Sequence, residues 1–152
     1  MAETIVRHAA QSDLDTLIAL YESLAGEVRA AAPNDSASSM GLLEAVLTEP
    51  ARHLVIAELD GEPAGTADMV IIPNLTHHAM PWAIVENVVV AHTYRRRGVG
   101  TQLMLHLMEV ARAAGCCKLE LLSGKHRAAA HALYRSVGMQ AVSEGFKVYF
   151  DR

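Results

Sequence analysis

The segment from residue 82 to residue 123 constrains the fold more than any other part of the chain. It begins with the apolar run WAIVENVVVA (82–91), which is typical of a buried strand. A helical pattern follows and ends near Gly115, and its apolar face carries Val99, Leu103, Leu107 and Ala111. The segment CKLELLS (117–123) then predicts a second strand. Strand, helix and strand in this order indicate a parallel βαβ unit.

The chain before this unit predicts antiparallel strands and two helices. TIVRHA (4–9) is typical of a short strand, and a helix follows with Leu14, Leu17, Ile18, Tyr21 and Leu24 at three- and four-residue steps. Two apolar runs within 53–73 meet at Asp60-Gly61, which indicates a hairpin because the turn needs positive φ. Between them we expect a flexible loop over 29–39 and a short helix that Pro50 ends, carrying Leu43, Val46 and Leu47.

Two elements complete the prediction after the βαβ unit. RAAAHALYRSV (127–137) indicates a helix that Gly138 closes, and EGFKVYF (144–150) indicates a final strand. The fold class is therefore α/β, with a mixed and mostly antiparallel sheet flanked by helices. A chain of 152 residues can bury about two thirds of its unfolded surface. We expect a single domain over residues 1–152.

Composition excludes several classes of protein. The residues are 51% apolar and 20% charged, which is typical of a folded globular chain. The net charge of −4 provides no general attraction for nucleic acid or anionic membranes, and no run of about 18 apolar residues predicts a membrane span. Cys116 and Cys117 are adjacent, so neither a disulfide nor a metal site of cysteine ligands is expected. With no signal peptide in the sequence, we expect a cytoplasmic protein.

A basic turn joins the first strand of the βαβ unit to its helix. Arg95, Arg96 and Arg97 precede Gly98, Val99, Gly100 and Thr101 in the sequence. The first N–H groups of a helix lack intrahelical partners and carry about half a positive charge, so the turn predicts a site for a diphosphate. A P-loop would need a lysine after the second glycine, and a dinucleotide fingerprint would need glycine in place of Leu103. Turn chemistry without a ligand remains the alternative for this segment alone.

The turn and a later segment together resemble the GNAT family of N-acetyltransferases. Residues 95–100 fit that family's Gln/Arg-x-x-Gly-x-Gly/Ala motif for acyl-CoA, and ALYRSVGM (132–139) is similar to its late tyrosine segment. Both motifs stand in the family's order, and the order of elements fits nearly the whole chain. The resemblance implies a fold in which strands four and five splay apart, with acetyl-CoA as the acyl donor.

The resemblance also implies where acetyl-CoA binds. Backbone groups of Val88, Val89 and Val90 would bind the pantetheine amides and the thioester carbonyl, while residues 95–101 would bind the diphosphate. Arg127 departs from the family, which often has asparagine there, and arginine cannot accept hydrogen bonds. We expect Arg127 to contact either the phosphates of CoA or an anionic group of the acceptor.

Two residues would carry the reaction. Tyr134 matches the tyrosine that protonates the departing thiolate, and packing as a core aromatic is its structural alternative. Glu86 would be the general base for the amine or a carboxylate that binds its ammonium group, and both roles stay open. No side chain stands out as a covalent nucleophile, which predicts direct transfer.

The acceptor is the least constrained part of the prediction. IVENVVV and GCCKLEL resemble the glucosamine-phosphate N-acetyltransferase branch, which implies an amino-sugar phosphate, while other branches acetylate small-molecule or protein amines. A non-catalytic acyl-CoA-binding regulatory module is the alternative function. No nucleic-acid or membrane partner and no metal are expected. Family analogy implies a homodimer formed through the C-terminal strand.

Overall fold

The computed structural model describes residues 2–25 and 36–150. These residues form five strands and four α-helices. In chain order these are β1 (Thr4–His8), α1 (Leu14–Ala25), α2 (Ser36–Thr48), β2 (Arg52–Leu59), β3 (Glu62–Ile72), β4 (Trp82–Val90), α3 (Val99–Ala113), β5 (Leu119–Leu121) and α4 (Ala128–Ser136). No helix of this described part is long and apolar enough to cross a membrane.

The five strands form one mixed sheet in the order β1-β2-β3-β4-β5. The first three neighbouring pairs are antiparallel, and β4 and β5 are parallel with α3 between them. The predicted βαβ unit is therefore confirmed. The hairpin of β2 and β3 turns at Asp60 and Gly61, whose φ angles are 54° and 83°, as the Asp-Gly pair predicts.

Helices cover both faces of the sheet, and the alternation of side chains along β2 shows how. Val55, Ala57 and Leu59 are buried in the same cluster as Leu103 and Leu107 of α3. Leu54 and Ile56, which point to the opposite face, are buried against Leu14 and Leu17 of α1 and Leu43 of α2. The apolar faces predicted for α1, α2 and α3 are thus the faces that pack on the sheet.

Strand β4 contains a β-bulge that the sequence analysis missed. Asp68 of β3 lies opposite Glu86, but Thr66 lies opposite Val89, so β4 contains one extra residue in this stretch. Asn87 sits at the bulge with a left-handed φ of 53°. The asparagine side chain tolerates that conformation better than most, and an asparagine inside an apolar strand was the signal that could have revealed it.

The bulge changes which side chains of β4 face α3. Ala83 and Val85 belong to the cluster under α3 before the bulge, whereas Val88 and Val90 contact that cluster after it. Val89 points to the other face and packs on α1. Pairing with β5 ends at Val85, opposite Leu121, so the two strands part where the bulge begins. The predicted splay of strands four and five is confirmed.

Two secondary-structure predictions were wrong. Residues 36–39 of the expected loop are helical, because α2 begins at Ser36 and its apolar residues pack on β2; the remaining loop residues, 29–35, lie outside the described part. The described residues 144–150 form no strand, although a strand was expected there. A strand needs partners for its backbone groups on a neighbouring strand, and residues 144–150 pair with no strand of the described part. Strand β5 is also shorter than predicted.

Candidate active site

A cleft of about 880 Å³ opens where β4 and β5 part. Its walls come from the second half of β4, the basic turn, the start of α3 and one face of α4. The lining residues are Val88, Val89, Val90, Tyr94, Arg95, Arg96, Gly98, Val99, Gly100, Thr101, His126, Arg127, Ala128, Ala129, Ala130, Ala132, Leu133, Tyr134 and Ser136. The structure thus brings together most of the residues that the sequence predicted for cofactor binding, together with Tyr134.

The second half of β4 presents one backbone edge to β3 and the other to the cleft. The N–H of Ala91 donates to the carbonyl oxygen of Ala64 on β3 at 2.9 Å. The carbonyl oxygen of Val89 also faces β3, since a Cβ atom on Gly65 would lie 2.8 Å from it. Backbone groups alternate along a strand, so those of Val88 and Val90 face the cleft. All three predicted valines line the cleft.

The basic turn is built around Gly98. This residue has a φ of 83° and immediately precedes α3, a left-handed position that favours glycine. The first intrahelical bond runs from the N–H of Gln102 to the carbonyl oxygen of Gly98 at 3.0 Å. The N–H groups of residues 99–101 precede that bond and have no intrahelical acceptor. Residues 99–101 lie in the wall of the cleft, and free N–H groups at a helix N-terminus favour an anion.

Gly100, the second glycine of the motif, is explained by packing and not by backbone conformation. A Cβ atom on Gly100 would lie 2.8 Å from Cδ2 of Leu133. Gly100 therefore permits the close approach of α3 and α4. Gly98 has no such neighbour, because a Cβ atom there would meet nothing within 4 Å in the described structure. One glycine sets the backbone conformation of the turn, and the other sets the spacing of two helices.

The three arginines of the turn separate into two groups. Arg95 and Arg96 line the cleft, and Nε of Arg95 donates to the carbonyl oxygen of Val90 at 3.1 Å. That bond ties the turn to the open edge of β4. Arg97 does not line the cleft: its guanidinium lies 5.8 Å from the centre of the Tyr94 ring and 3.9 Å from the Asp60 carboxylate.

Tyr134 occupies the last turn of α4 and is 8% exposed. Burial raises the pKa of its phenol, the positive charge of Arg127 lowers it, and the negative charge of Glu86 raises it. These three side chains are therefore close enough to influence one another electrostatically. Since the pKa of the phenol is above its usual value, Tyr134 is protonated at neutral pH and can donate a proton.

Glu86 lies at the bulge and is exposed. It is opposite Asp68 in the β3–β4 ladder, and the Asp68 carboxylate is buried and accepts hydrogen bonds from Nε of Arg52 at 3.0 and 3.1 Å. Tyr21 of α1 lies beside this ion pair, and burial, followed by the charge of Asp68, raises the pKa of its phenol to about 12. The sequence analysis missed this partly buried polar group, whose member Asp68 is the ladder partner of Glu86.

The sequence analysis also did not predict that α4 forms one wall of the cleft. Four alanines at positions 128, 129, 130 and 132 line it, and their small side chains leave the space between α4 and β4 open. The signal was the alanine run after Arg127, which was interpreted as helix propensity alone. His126 also lines the cleft, and Arg127 is the residue that precedes α4.

The two cysteines do not line the cleft. Burial raises the pKa of the Cys116 thiol, and the neighbouring Cys117 adds to this shift, so less of it is present as the reactive thiolate. The N–H of Cys117 donates to the carbonyl oxygen of Pro81 at 2.8 Å, which fixes the start of the β5 segment. Their positions agree with a structural role.

The fold is a mixed sheet whose fourth and fifth strands part, with a cleft beside the fourth strand that is lined by Tyr134. The sequence profile of the Acetyltransferase (GNAT) family matches residues 12–139. The chain belongs to this family, and it is an acetyltransferase. Acetyl-CoA is the acyl donor that the family uses.

Three known proteins illustrate the similarity. An acetyltransferase of Agrobacterium tumefaciens str. C58 has a solved structure with a TM-score of 0.88 and 34% identity, covering 96% of this chain and 99% of its own. Thialysine N-epsilon-acetyltransferase of Bos taurus is 27% identical over 158 aligned positions, 95% of this chain and 88% of its own. Glucosamine 6-phosphate N-acetyltransferase of Trypanosoma brucei brucei is 35% identical over 65 residues, which span 43% of this chain and 44% of that enzyme.

Proposed function

We propose that this protein transfers the acetyl group of acetyl-CoA directly to a primary amine of a small molecule or peptide, and that it does so as a single domain. The observation that carries the proposal is the cleft in which the open edge of β4, the N-terminus of α3 and Tyr134 meet. An unpaired strand edge suits the amides of pantetheine, and a helix N-terminus suits a diphosphate. Acetyl-CoA supplies both groups and the thioester that is to be cleaved.

In this proposal, different residues of the cleft bind different parts of acetyl-CoA. The N–H groups of residues 99–101, with the side chains of Arg95 and Arg96, bind the diphosphate through charge-assisted hydrogen bonds. Backbone groups of Val88 and Val90 bind the pantetheine arm and polarise the thioester carbonyl. Arg97 supports the turn through Tyr94 and Asp60.

Glu86 and Tyr134 act on opposite sides of the transfer. Glu86 accepts a proton from the acceptor ammonium, directly or through water, and the free amine forms the new C–N bond. The C–S bond then breaks, and the Tyr134 phenol gives its proton to the departing sulfur. The excess proton from the amine restores the phenol through solvent, so the step needs no further reactant.

The proposed acceptor class is an amino-sugar phosphate. Two observations support it: the 35% identity over 65 residues to a glucosamine 6-phosphate N-acetyltransferase, and Arg127 in the wall of the cleft. Arg127 binds the acceptor phosphate in this proposal, and binding of the CoA phosphates is its alternative role. The protein is further proposed to act as a homodimer.

A panel of amines tests the proposal. Release of free CoA is measured with glucosamine 6-phosphate, glucosamine, thialysine, a polyamine and a lysine-containing peptide. We expect turnover above the buffer rate with at least one amine, and glucosamine 6-phosphate to exceed glucosamine in kcat/KM by tenfold or more. Equal values for the two sugars would contradict the phosphate-binding role of Arg127. Turnover at the buffer rate with every amine would favour a non-catalytic acyl-CoA-binding module.

A further inference from the structure

An ion pair lies next to Glu86, on the face of the sheet that α1 and α2 cover. Asp68 of β3 is 4% exposed, and its two carboxylate oxygens accept hydrogen bonds from Nε and Nη2 of Arg52 on β2. The attraction between such partners offsets the cost of removing a carboxylate from water only in part, so a buried ion pair is weak evidence for a role in stability. The position of this pair beside Glu86 is therefore its more informative feature.

Asp68 and Glu86 stand directly opposite each other in the antiparallel ladder of β3 and β4. Residues in such positions project from the same face of the sheet, with Cβ atoms about 4.5–5.5 Å apart. Two carboxylates this close repel each other, and the pair retains a proton to higher pH than either carboxylate would alone. A Glu86 that holds this proton cannot accept one from the acceptor ammonium. An unpaired Asp68 would thus oppose the step that the proposed function assigns to Glu86.

The guanidinium of Arg52 supplies the opposite charge beside Asp68. The hydrogen bonds to Asp68 raise the pKa of Arg52, so the guanidinium stays charged at every pH at which the protein is folded. Burial raises the pKa of the neighbouring Tyr21 phenol to about 12, so this group is neutral at physiological pH. The three side chains beside Glu86 therefore have no net charge.

Other charged and titratable groups lie around Glu86 and its ion-pair neighbour. Glu120 of β5 faces the same side of the sheet, because it is the ladder partner of Ile84, but its carboxylate is 43% exposed and lies 2.7 Å from Nζ of Lys118. Asp68 is the only buried carboxylate of the set, so solvent screens its charge least. The full set is Asp68 of β3, Arg52 of β2, Glu49 before β2, Tyr21 of α1, Lys118 and Glu120 at β5, and Arg127 and Tyr134 at α4.

We propose that Arg52 and Asp68 are positioning residues for the acetyl transfer, and that Arg52 cancels the charge of Asp68 so that Glu86 stays ionised and accepts the proton of the amine. The inference rests on the proposed function, in which Glu86 is the general base, and deepens it. Neither Arg52 nor Asp68 lines the cleft, so both act through Glu86 and not through contact with the acyl donor. The step is one proton transfer from the ammonium nitrogen to Glu86, and the charges of Arg52 and Asp68 do not change in it.

The pH dependence of kcat/KM for the amine tests the proposal. Arg52→Met leaves the Asp68 carboxylate unpaired and should move the acid limb up by about 0.5–1 pH unit, a loss of about 3- to 10-fold on that limb; the shift is smaller than for a buried group because Glu86 is exposed. Asp68→Asn leaves the positive charge of Arg52 beside Glu86 and should move the limb down by a similar amount. The double variant Arg52→Met/Asp68→Asn should restore the wild-type limb.

Opposite shifts that cancel in the double variant distinguish charge balance from a merely structural role, which would lower activity in both single variants without moving the limb. An unchanged limb in Arg52→Met would show that Asp68 takes up the proton itself, and would overturn the proposal. Circular dichroism checks that each variant is folded. Asp68→Asn, which is nearly isosteric, tests the direction of the effect independently of Arg52→Met.

Two control variants separate the charge of Arg52 from its packing. Arg52→Lys keeps the positive charge but loses the forked geometry, and should keep the wild-type limb. Arg7→Met breaks the ion pair of Arg7 with Asp13, whose side chains are 37% and 9% exposed, compared with 36% and 5% for Arg52 and Asp68. Arg7→Met should lower Tm to an extent similar to Arg52→Met and leave the limb unmoved. Equal shifts of the limb in these two variants would contradict the inference.

Carbon-13 NMR of the glutamate side-chain carboxylates measures the same charge balance without turnover. The Glu86 resonance, assigned by its absence in Glu86→Gln, should titrate at higher pH in Arg52→Met and at lower pH in Asp68→Asn than in the wild type. A resonance that titrates alike in all three proteins would overturn the inference and leave the proposed function standing. A resonance that moves while the acid limb of kcat/KM does not would overturn the role of Glu86 as general base, and this inference with it.

Discussion

Residues 83–85 and residues 88–90 of β4 are both wholly apolar, yet they have different surroundings. Residues 83–85 pair with β3 on one side and with β5 on the other, and their backbone groups are used in the sheet. Val89 and Val90 pair with β3 alone within the described sheet, and residues 88–90 line the cleft. One extra residue, at the bulge, separates the half of the strand that is paired on both sides from the half that lines the cleft. A bulge next to an active site is a common way to redirect side chains and end pairing.

The largest expected effect is at the tyrosine that faces the open half of β4. Tyr134→Phe should lower kcat by about 100-fold, because removing a general acid typically costs that much or more. The dissociation constant for CoA should stay within about twofold, since the ring remains in place. Tyr94→Phe is the matched control in the same cleft, and comparable losses in both variants would contradict the assignment.

The pH profile adds a second readout for Tyr134. Burial holds the pKa of this phenol above its usual range, so the protonated donor persists to higher pH than in a free tyrosine. Because a free tyrosine has a pKa of about 10, we expect no loss of kcat from deprotonation of this phenol below about pH 10.

A smaller loss of activity is expected on substitution of Glu86, the last paired residue of β4 before the bulge. Glu86→Gln keeps the shape of the side chain and removes its ability to accept a proton. We expect kcat/KM for the amine to fall about 30-fold at neutral pH and to recover partly at high pH, where the amine is already deprotonated. If the loss were the same at every pH, Glu86 would be a binding carboxylate for the ammonium group.

The two glycines of the basic turn provide a paired test of the binding site. Gly98→Ala places alanine at a φ of 83°, which costs about 1–2 kcal/mol and should weaken CoA binding about 5- to 30-fold. Gly100→Ala meets the flexible end of Leu133 and should change binding by less than about threefold. Calorimetric titration with CoA measures both, and a reversed order would contradict the separate roles of the glycines.

The smallest expected effect concerns the bulge itself. Asn87→Val puts a β-branched residue at a φ of 53° and should cost about 1–2 kcal/mol, or about 2–8 °C in Tm. Asn87→Gly relieves the same strain and should lie close to the wild type. Thermal unfolding followed by circular dichroism distinguishes them. Equal Tm values for the two variants would mean that the left-handed conformation is not maintained in solution.

The sequence was sufficient to predict features that depend on local pattern. The Asp60-Gly61 hairpin, the helix after the basic turn and the splay of strands four and five needed only periodicity, turn chemistry and a family motif. The contact of Gly100 with Leu133 could not be predicted, because it joins residues that are 33 positions apart. Such distant contacts leave no local signal.

The remaining errors have the same physical origin. The strand expected over 144–150 has the right alternation, but whether it pairs depends on which strand edge is within reach. The Arg52 and Asp68 pair beneath Glu86 is separated by 16 positions, and its partners became visible only with the register of β2 and β3. The length of pairing between β4 and β5 likewise followed from the bulge.

Binding of the diphosphate at the N-terminus of α3 is the central claim, and calorimetric titration tests it most directly. Titration of folded wild-type protein with CoA should give saturable heat with one site per chain. Pantetheine, which lacks the diphosphate, should bind at least about 100-fold more weakly. Absence of heat with CoA, or equal affinity for the two ligands, would contradict the account.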